Sequence, residues 1–164
     1  MSLSRDIAVM RTTPLLAGLT EEQLRLLAFS GEAKRLQPGD VLFSANATAS
    51  GAGVVASGAL AVSQDVEAGG RARMVGPGGI INGLALLLEG RQSVHAVAEQ
   101  PSEVIVLGRS QFRRILTEYP ETARELQQRL TQNLMAMTSD LESVRARLAD
   151  LDARLPAGSS RRTD

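Results

Sequence analysis

Cysteine is absent from the 164 residues, which excludes disulfides, thiolate metal ligation and iron–sulfur clusters and fits a reducing compartment. Histidine occurs once, as His95, so neither a multi-histidine metal site nor a nucleophile–base–orienter set can be assembled. No metal and no catalysis are expected. The glycine pairs match neither a P-loop nor a dinucleotide fingerprint. Aromatic residues number only four, three Phe and one Tyr, too few for a base-stacking platform. Eighteen basic and eighteen acidic side chains cancel, leaving no positive field that draws a protein to nucleic acid or an anionic membrane. Arg113-Arg114 and Arg161-Arg162 read as solvated charge. No apolar run reaches the ~18 residues that span a bilayer, and Met1-Ser2-Leu3-Ser4-Arg5-Asp6 has no signal core. A soluble cytoplasmic protein without direct nucleic-acid or membrane partners is expected.

What is present is one core's worth of chain plus an appended helix. Thr20 precedes two acids and leucines at helical spacing, which predicts a capped amphipathic helix up to Phe29. Between Lys34 and Leu107 the pattern changes to short apolar runs cut by glycine. They are Val41-Leu42-Phe43, Val54-Val55-Ala56, Leu60-Ala61-Val62, Met74-Val75, His95-Ala96-Val97 and Val104-Ile105-Val106-Leu107. Runs of this length separated by Pro38-Gly39-Asp40, Ser57-Gly58 and Gly76-Pro77-Gly78-Gly79 predict an antiparallel β-roll, a double-stranded β-helix. Residues 82–88, rich in Leu and Ala, interrupt it with a helical turn or two. The small, polar stretch 44–53 reads as a mobile connection.

A short helix from Ser110 to Leu116 ends at Tyr119-Pro120, where Pro120 suits the first position of a new helix. In that helix apolar residues recur in alternating steps of four and three: Leu130, Leu134, Met137, Leu141, Val144, Leu148, Leu151 and Leu155. This heptad seam predicts a coiled coil. A stripe two positions wide is buried by a second copy, by the chain's own domain, or by a helix of another protein. In a parallel pair Asp140 faces Arg145 of the second copy and Arg147 faces Asp152, both of opposite sign, which favours the homodimer. Each such pair contributes at most ~0.5 kcal/mol, so apolar burial supplies the affinity and charge the orientation. The expected organisation is a roll domain over 1–118, a dimerisation helix over 119–155 and a tail over 156–164.

The order of helix, glycine-punctuated roll, small inserted helix and long terminal helix resembles the cyclic nucleotide-binding domain family that includes the cAMP receptor protein. Pro14-Leu15-Leu16-Ala17-Gly18-Leu19 is similar to the family's opening helix and Pro38-Gly39-Asp40-Val41-Leu42-Phe43 to its first roll turn. Ser57-Gly58-Ala59-Leu60-Ala61-Val62 resembles the central turn and strand, Gly76-Pro77-Gly78-Gly79-Ile80-Ile81 the approach to the phosphate cassette, and Ser102-Glu103-Val104-Ile105-Val106-Leu107 the last strand. The resemblance runs from about Pro14 to Leu155.

In that family the cassette carries a Gly-Glu pair, then Leu-Ala-Leu-Leu, then an arginine nine residues after the Glu. Here Asn82-Gly83 stands at the pair, Leu84-Ala85-Leu86-Leu87 follows, and Gln92 beside Ser93 occupies the arginine position. The resemblance therefore implies a cassette that lacks the ribose-binding carboxylate and the phosphate-binding guanidinium. Glutamine offers one neutral amide where arginine offers a charged planar fork. At ~1.5–3 kcal/mol for each lost charge-assisted bond, binding weakens roughly a hundredfold to ten-thousandfold.

Arg91 reads as a solvated loop cation, with a phosphate contact as its alternative, since a one-residue shift on a strand reverses the face. Asn82 is expected to cap the short helix and leave the N–H groups of Leu84 and Ala85 for water or a small anion. Gln92 and Ser93 either bond a polar ligand or finish the loop. The family's transcription factors continue into a helix-turn-helix for which too few residues follow Leu155, so no DNA-binding apparatus is expected. The resemblance points to a homodimeric regulatory module acting on an unidentified protein partner. Its rivals are a true cyclic-nucleotide sensor and a regulator that joins a full-length relative.

Overall fold

Ser2 accepts a hydrogen bond from the Arg5 N–H and starts helix α1 (Leu3–Thr12), whose Ile7 and Met10 turn inward. This helix is not among the sequence expectations; its apolar residues are Leu3 and the run Ile7-Ala8-Val9-Met10. Thr20 and Gln23 then form a reciprocal capping box that opens α2 (Glu21–Ser30), as the Thr-Glu-Glu-Gln order leads one to expect. The computed structural model describes residues 2–64 and 71–154, except the side chains of 133–144, 152 and 154.

Ten strands follow: β1 (Glu32–Leu36), β2 (Val41–Phe43), β3 (Thr48–Ala49), β4 (Gly51–Ser57), β5 (Leu60–Ser63), β6 (Arg73–Val75), β7 (Ile80–Ile81), β8 (Gly90–Arg91), β9 (His95–Ala98) and β10 (Ser102–Gly108). They pair antiparallel into two four-stranded sheets, β1-β10-β4-β7 and β2-β9-β5-β6, and a two-stranded ribbon, β3-β8. One apolar cluster takes Leu36, Val55, Ile81 and Val104 from the first sheet and Leu60, Val62, Val75, Ala96 and Ala98 from the second. The sheets therefore pack face to face around a shared core, each buried aliphatic side chain contributing ~1.5–3 kcal/mol.

Strand β4 is buried at every position from Gly51 to Ala56. Such continuous burial means that both faces of its sheet are covered. On the far face a Cβ at Gly31, at the end of α2, would sit 3.1 Å from Ile105 and 3.3 Å from Leu107. Gly58 makes the β4–β5 turn with φ of +84°, and a Cβ there would strike the Ser102 hydroxyl at 2.2 Å, so both conformation and space demand glycine.

After β7 the expected helical turn is a 3₁₀ turn (Gly83–Leu86). Helix α3 (Arg109–Glu118) follows β10, anchored by the fully buried Phe112, and α4 (Pro120–Arg154) starts at the proline. The stretch 44–53 is corrected from a mobile connection: Thr48 and Ala49 pair with Arg91 and Gly90, and Gly51 already belongs to β4. Small residues conceal strands of this kind because they carry no alternating apolar signal.

The described residues form two compact units, one up to Ala123 and one from Arg124. In the first, the Gln23 side-chain amide donates to the Thr122 hydroxyl at 2.9 Å, holding α2 to the first turn of α4. In the second, Leu130 is half-buried and Leu148 and Leu151 are 56% and 57% exposed in the single chain. Leu134, Met137, Leu141 and Val144 lie on α4 with side chains outside the described set, while Leu155 and the 156–164 tail lie outside the described residues. Among the described residues no helix is long and apolar enough to cross a membrane.

Candidate functional site

The cassette begins at Asn82, whose φ of 57° places it in the left-handed region, one that Asn tolerates better than most side chains. This conformation removes the side-chain cap expected of it. Asn82 makes no capping bond, and the Ala85 N–H, expected to be open to an anion, donates to the Asn82 carbonyl at 3.0 Å. The Asn82 amide instead donates to the side-chain carbonyl of Gln92 across the cassette. Ser93 adds its hydroxyl, donating to Asn82 Oδ1 at 3.4 Å.

Three of the residues singled out in the sequence, Asn82, Gln92 and Ser93, thus meet at one place. Gln92 is 5% exposed, and its backbone is fixed on the ribbon side. Its N–H donates to the Ala47 carbonyl at 2.6 Å, and its carbonyl accepts from the Asn46 N–H at 2.9 Å. A buried amide needs such partners, because leaving it unpaired costs about 1–3 kcal/mol.

Gly83, Leu84 and Ala85 form the 3₁₀ turn, with Ala85 buried and Leu84 65% exposed. A Cβ at Gly83 would lie 3.4 Å from Ile80 and Leu15 side-chain atoms, ordinary contact distances, so a larger residue fits the backbone there. Arg91 is exposed on β8 and donates to the Asn46 carbonyl at 3.1 Å. The structure does not bring it to the Asn82–Gln92–Ser93 cluster through any bond among the described residues.

Sequence reasoning missed Arg109. Its Nη1 donates to the carbonyls of Ala49 (3.0 Å), Leu88 (3.1 Å) and Ala85 (3.4 Å), and its backbone N–H donates to the Ser50 carbonyl at 2.8 Å. One helical turn on, Arg113, expected to be solvated charge, donates to the Leu87 carbonyl at 3.5 Å and pairs with Glu89 at 3.7 Å. One signal was available. A cation in the first turn of a helix opposes the helix dipole and implies that something else holds it. Arg114 pairs with Glu118 along α3. His95 is half-buried in β9, and the described residues contain no group of potential ligands able to hold a metal ion.

Two antiparallel sheets around one core, a 3₁₀ turn set into the roll and flanking helices are the frame that the motifs pointed to. The family model for the cyclic nucleotide-binding domain matches residues 33–119, more than half of the chain. The chain belongs to the cyclic nucleotide-binding domain family. It is similar to the cyclic AMP receptor protein of Thermus thermophilus, 30% identical over 137 residues that cover 81% of this chain and 62% of that protein. The chain thus spans less than two thirds of that relative's length. Among solved structures it is similar to a cyclic nucleotide-binding-like protein from Brucella abortus, 38% identical, covering 68% of this chain and 97% of the other with a TM-score of 0.60. It is also similar to the N-terminal domain of a transcriptional regulator from Streptomyces coelicolor, 27% identical, with coverages of 80% and 93% and a TM-score of 0.71.

Proposed function

We propose that this chain is a non-catalytic regulatory module, homodimeric through α4, whose cassette binds cyclic nucleotides weakly or not at all and which acts through a protein partner. The observation that carries the reading is the amide bridge from Asn82 to Gln92. A cyclic nucleotide presents an anionic phosphate, and its recognition draws on charge-assisted bonds from a guanidinium. Here the guanidinium position holds the neutral Gln92, whose side-chain carbonyl already accepts from Asn82, so a ligand has to break a part-buried hydrogen bond before making its own. Titration calorimetry with cyclic AMP, cyclic GMP and cyclic dinucleotides tests this. Absence of binding below the millimolar range is expected, and micromolar binding of any of them overturns it.

The rival, a true cyclic-nucleotide sensor, draws support from the Thermus thermophilus relative, which is named a cyclic AMP receptor protein. In this chain that function falls to Arg91, which has to leave the Asn46 carbonyl to serve it.

The dimer rests on the heptad seam, supported by the exposure of Leu148 and Leu151 in the single chain. Replacing Leu141 and Leu148 together with Asp is expected to yield monomers by light scattering with the roll still folded. A monomeric parent at tens of micromolar overturns the dimer. Co-purification with a longer relative, without homodimers, favours instead a regulator that works by joining that relative.

A further inference from the structure

Arg109 stands at the first position of α3, where the helix dipole disfavours a cation. Its guanidinium nevertheless lies among three carbonyls drawn from two separate segments, Ala49 at the end of β3 and Ala85 and Leu88 in and after the 3₁₀ turn. A four-residue 3₁₀ turn satisfies few of its own carbonyls, and those at its end need outside donors. Leu87 and Leu88 donate their N–H groups to the Leu84 carbonyl. The carbonyls of Ala85, Leu87 and Leu88 are left to receive bonds from elsewhere, and each accepts from Arg109 or Arg113. These two arginines share a helix face, four residues apart. The backbone N–H of Arg109 also donates to Ser50, so the same residue fixes both the ribbon and the turn.

We infer that Arg109 is the positioning residue of the cassette: it holds the turn (Gly83–Leu86) and the β3–β8 ribbon in place from α3, with Arg113 as a weaker second hold, and does so without any ligand. The inference rests on reading residues 82–93 as the functional segment. It is independent of whether a nucleotide binds, since the arginines act on backbone carbonyls and not on the Asn82–Gln92–Ser93 side.

Hydrogen–deuterium exchange on the intact, nucleotide-free protein tests it in three variants. Arg109→Met keeps the aliphatic stem and removes every side-chain donor, so it separates bonding from packing. Amides in 46–50 and 83–91 are expected to exchange about tenfold faster or more, the equivalent of one or two lost hydrogen bonds, while those in 54–57 and 102–107 stay within about twofold of the parent. Arg109→Lys, a cation without the planar fork, is expected to fall between the parent and Met. Arg113→Met is expected to show a smaller rise confined to 86–90. Parent-like exchange in Arg109→Met overturns the inference, as does equal acceleration of all four segments, which marks general destabilisation. If Arg109→Met does not fold, Arg109→Lys decides in its place, with faster exchange confined to the cassette expected and equality with the parent overturning. Calorimetry on the parent protein reports separately on nucleotide binding, so failure of either reading leaves the other measurable.

Discussion

The two sides of the cassette are held by different chemistry. Toward β8 the polar contacts are neutral, the Asn82 amide to the Gln92 carbonyl and the Ser93 hydroxyl to Asn82. Toward α3 they are cationic, with Arg109 and Arg113 donating to the carbonyls of Ala49, Ala85, Leu87 and Leu88. A guanidinium bonded to peptide carbonyls stabilises the scaffold whether or not a ligand is bound. A guanidinium at residue 92 would be a buried cation that calls for an anion. On the proposed reading, a binding fold persists without charged side chains at residues 83 and 92. The scaffold's own charge-assisted bonds come from another helix and do not depend on them.

Restoring the missing charges is the sharpest way to break the contrast. Gly83→Glu with Gln92→Arg is expected to raise cyclic AMP affinity roughly a hundredfold to ten-thousandfold over the parent, measured by calorimetry. The space around a Cβ at Gly83 makes the first change sterically acceptable. An unchanged affinity would mean that more than the absence of two side chains prevents binding.

Removing the seat of α3 attacks the cationic side instead. Phe112 is fully buried between the two arginine positions, and Phe112→Ala is expected to cost about 3–5 kcal/mol in denaturant unfolding. Gln92→Ala probes the neutral side more gently. It strips the Asn82 amide of its acceptor, and a loss of about 1–3 kcal/mol is expected, without faster exchange in the ribbon near Arg109.

The smallest effect concerns Asp6, remote from both sides and a control on them. Burial raises its carboxyl above the ordinary 3.8, with Glu103 pushing the same way and Arg5 opposing. Its Oδ1 has no hydrogen-bond partner among the described residues. An acid whose folded pKa exceeds its unfolded one binds more protons in the folded state, so stability falls as pH rises from about 4 through the folded value. Asp6→Asn is therefore expected to raise the thermal midpoint slightly at pH 7, by the equivalent of about 1 kcal/mol or less, and to leave it unchanged near pH 3.

Legibility in the sequence follows the strength of the apolar signal. The runs at 41–43, 54–56, 60–62, 74–75, 95–97 and 104–107 all lie in strands, and the Thr20 cap and the Tyr119-Pro120 break sit where residue chemistry puts them. The two-residue strands at 48–49 and 90–91 were not readable, since Thr-Ala and Gly-Arg carry no period. Strand β1, Glu-Ala-Lys-Arg-Leu, is not among the expected runs, because Leu36 is its one buried residue. At the site, the motif spacing brought out Asn82, Gln92 and Ser93. Their mutual bond depends on the left-handed Asn82, and the reach of Arg109 to carbonyls as many as 60 residues away leaves no local pattern.

The central claim, that the neutral amide bridge occupies the place of the ancestral phosphate contacts, is tested most directly by a crystal structure grown with saturating cyclic AMP. The account predicts an intact Asn82–Gln92 hydrogen bond and no nucleotide density between Gly83 and Gln92. Clear density for a bound nucleotide there, with the amide pair parted around it, would contradict it.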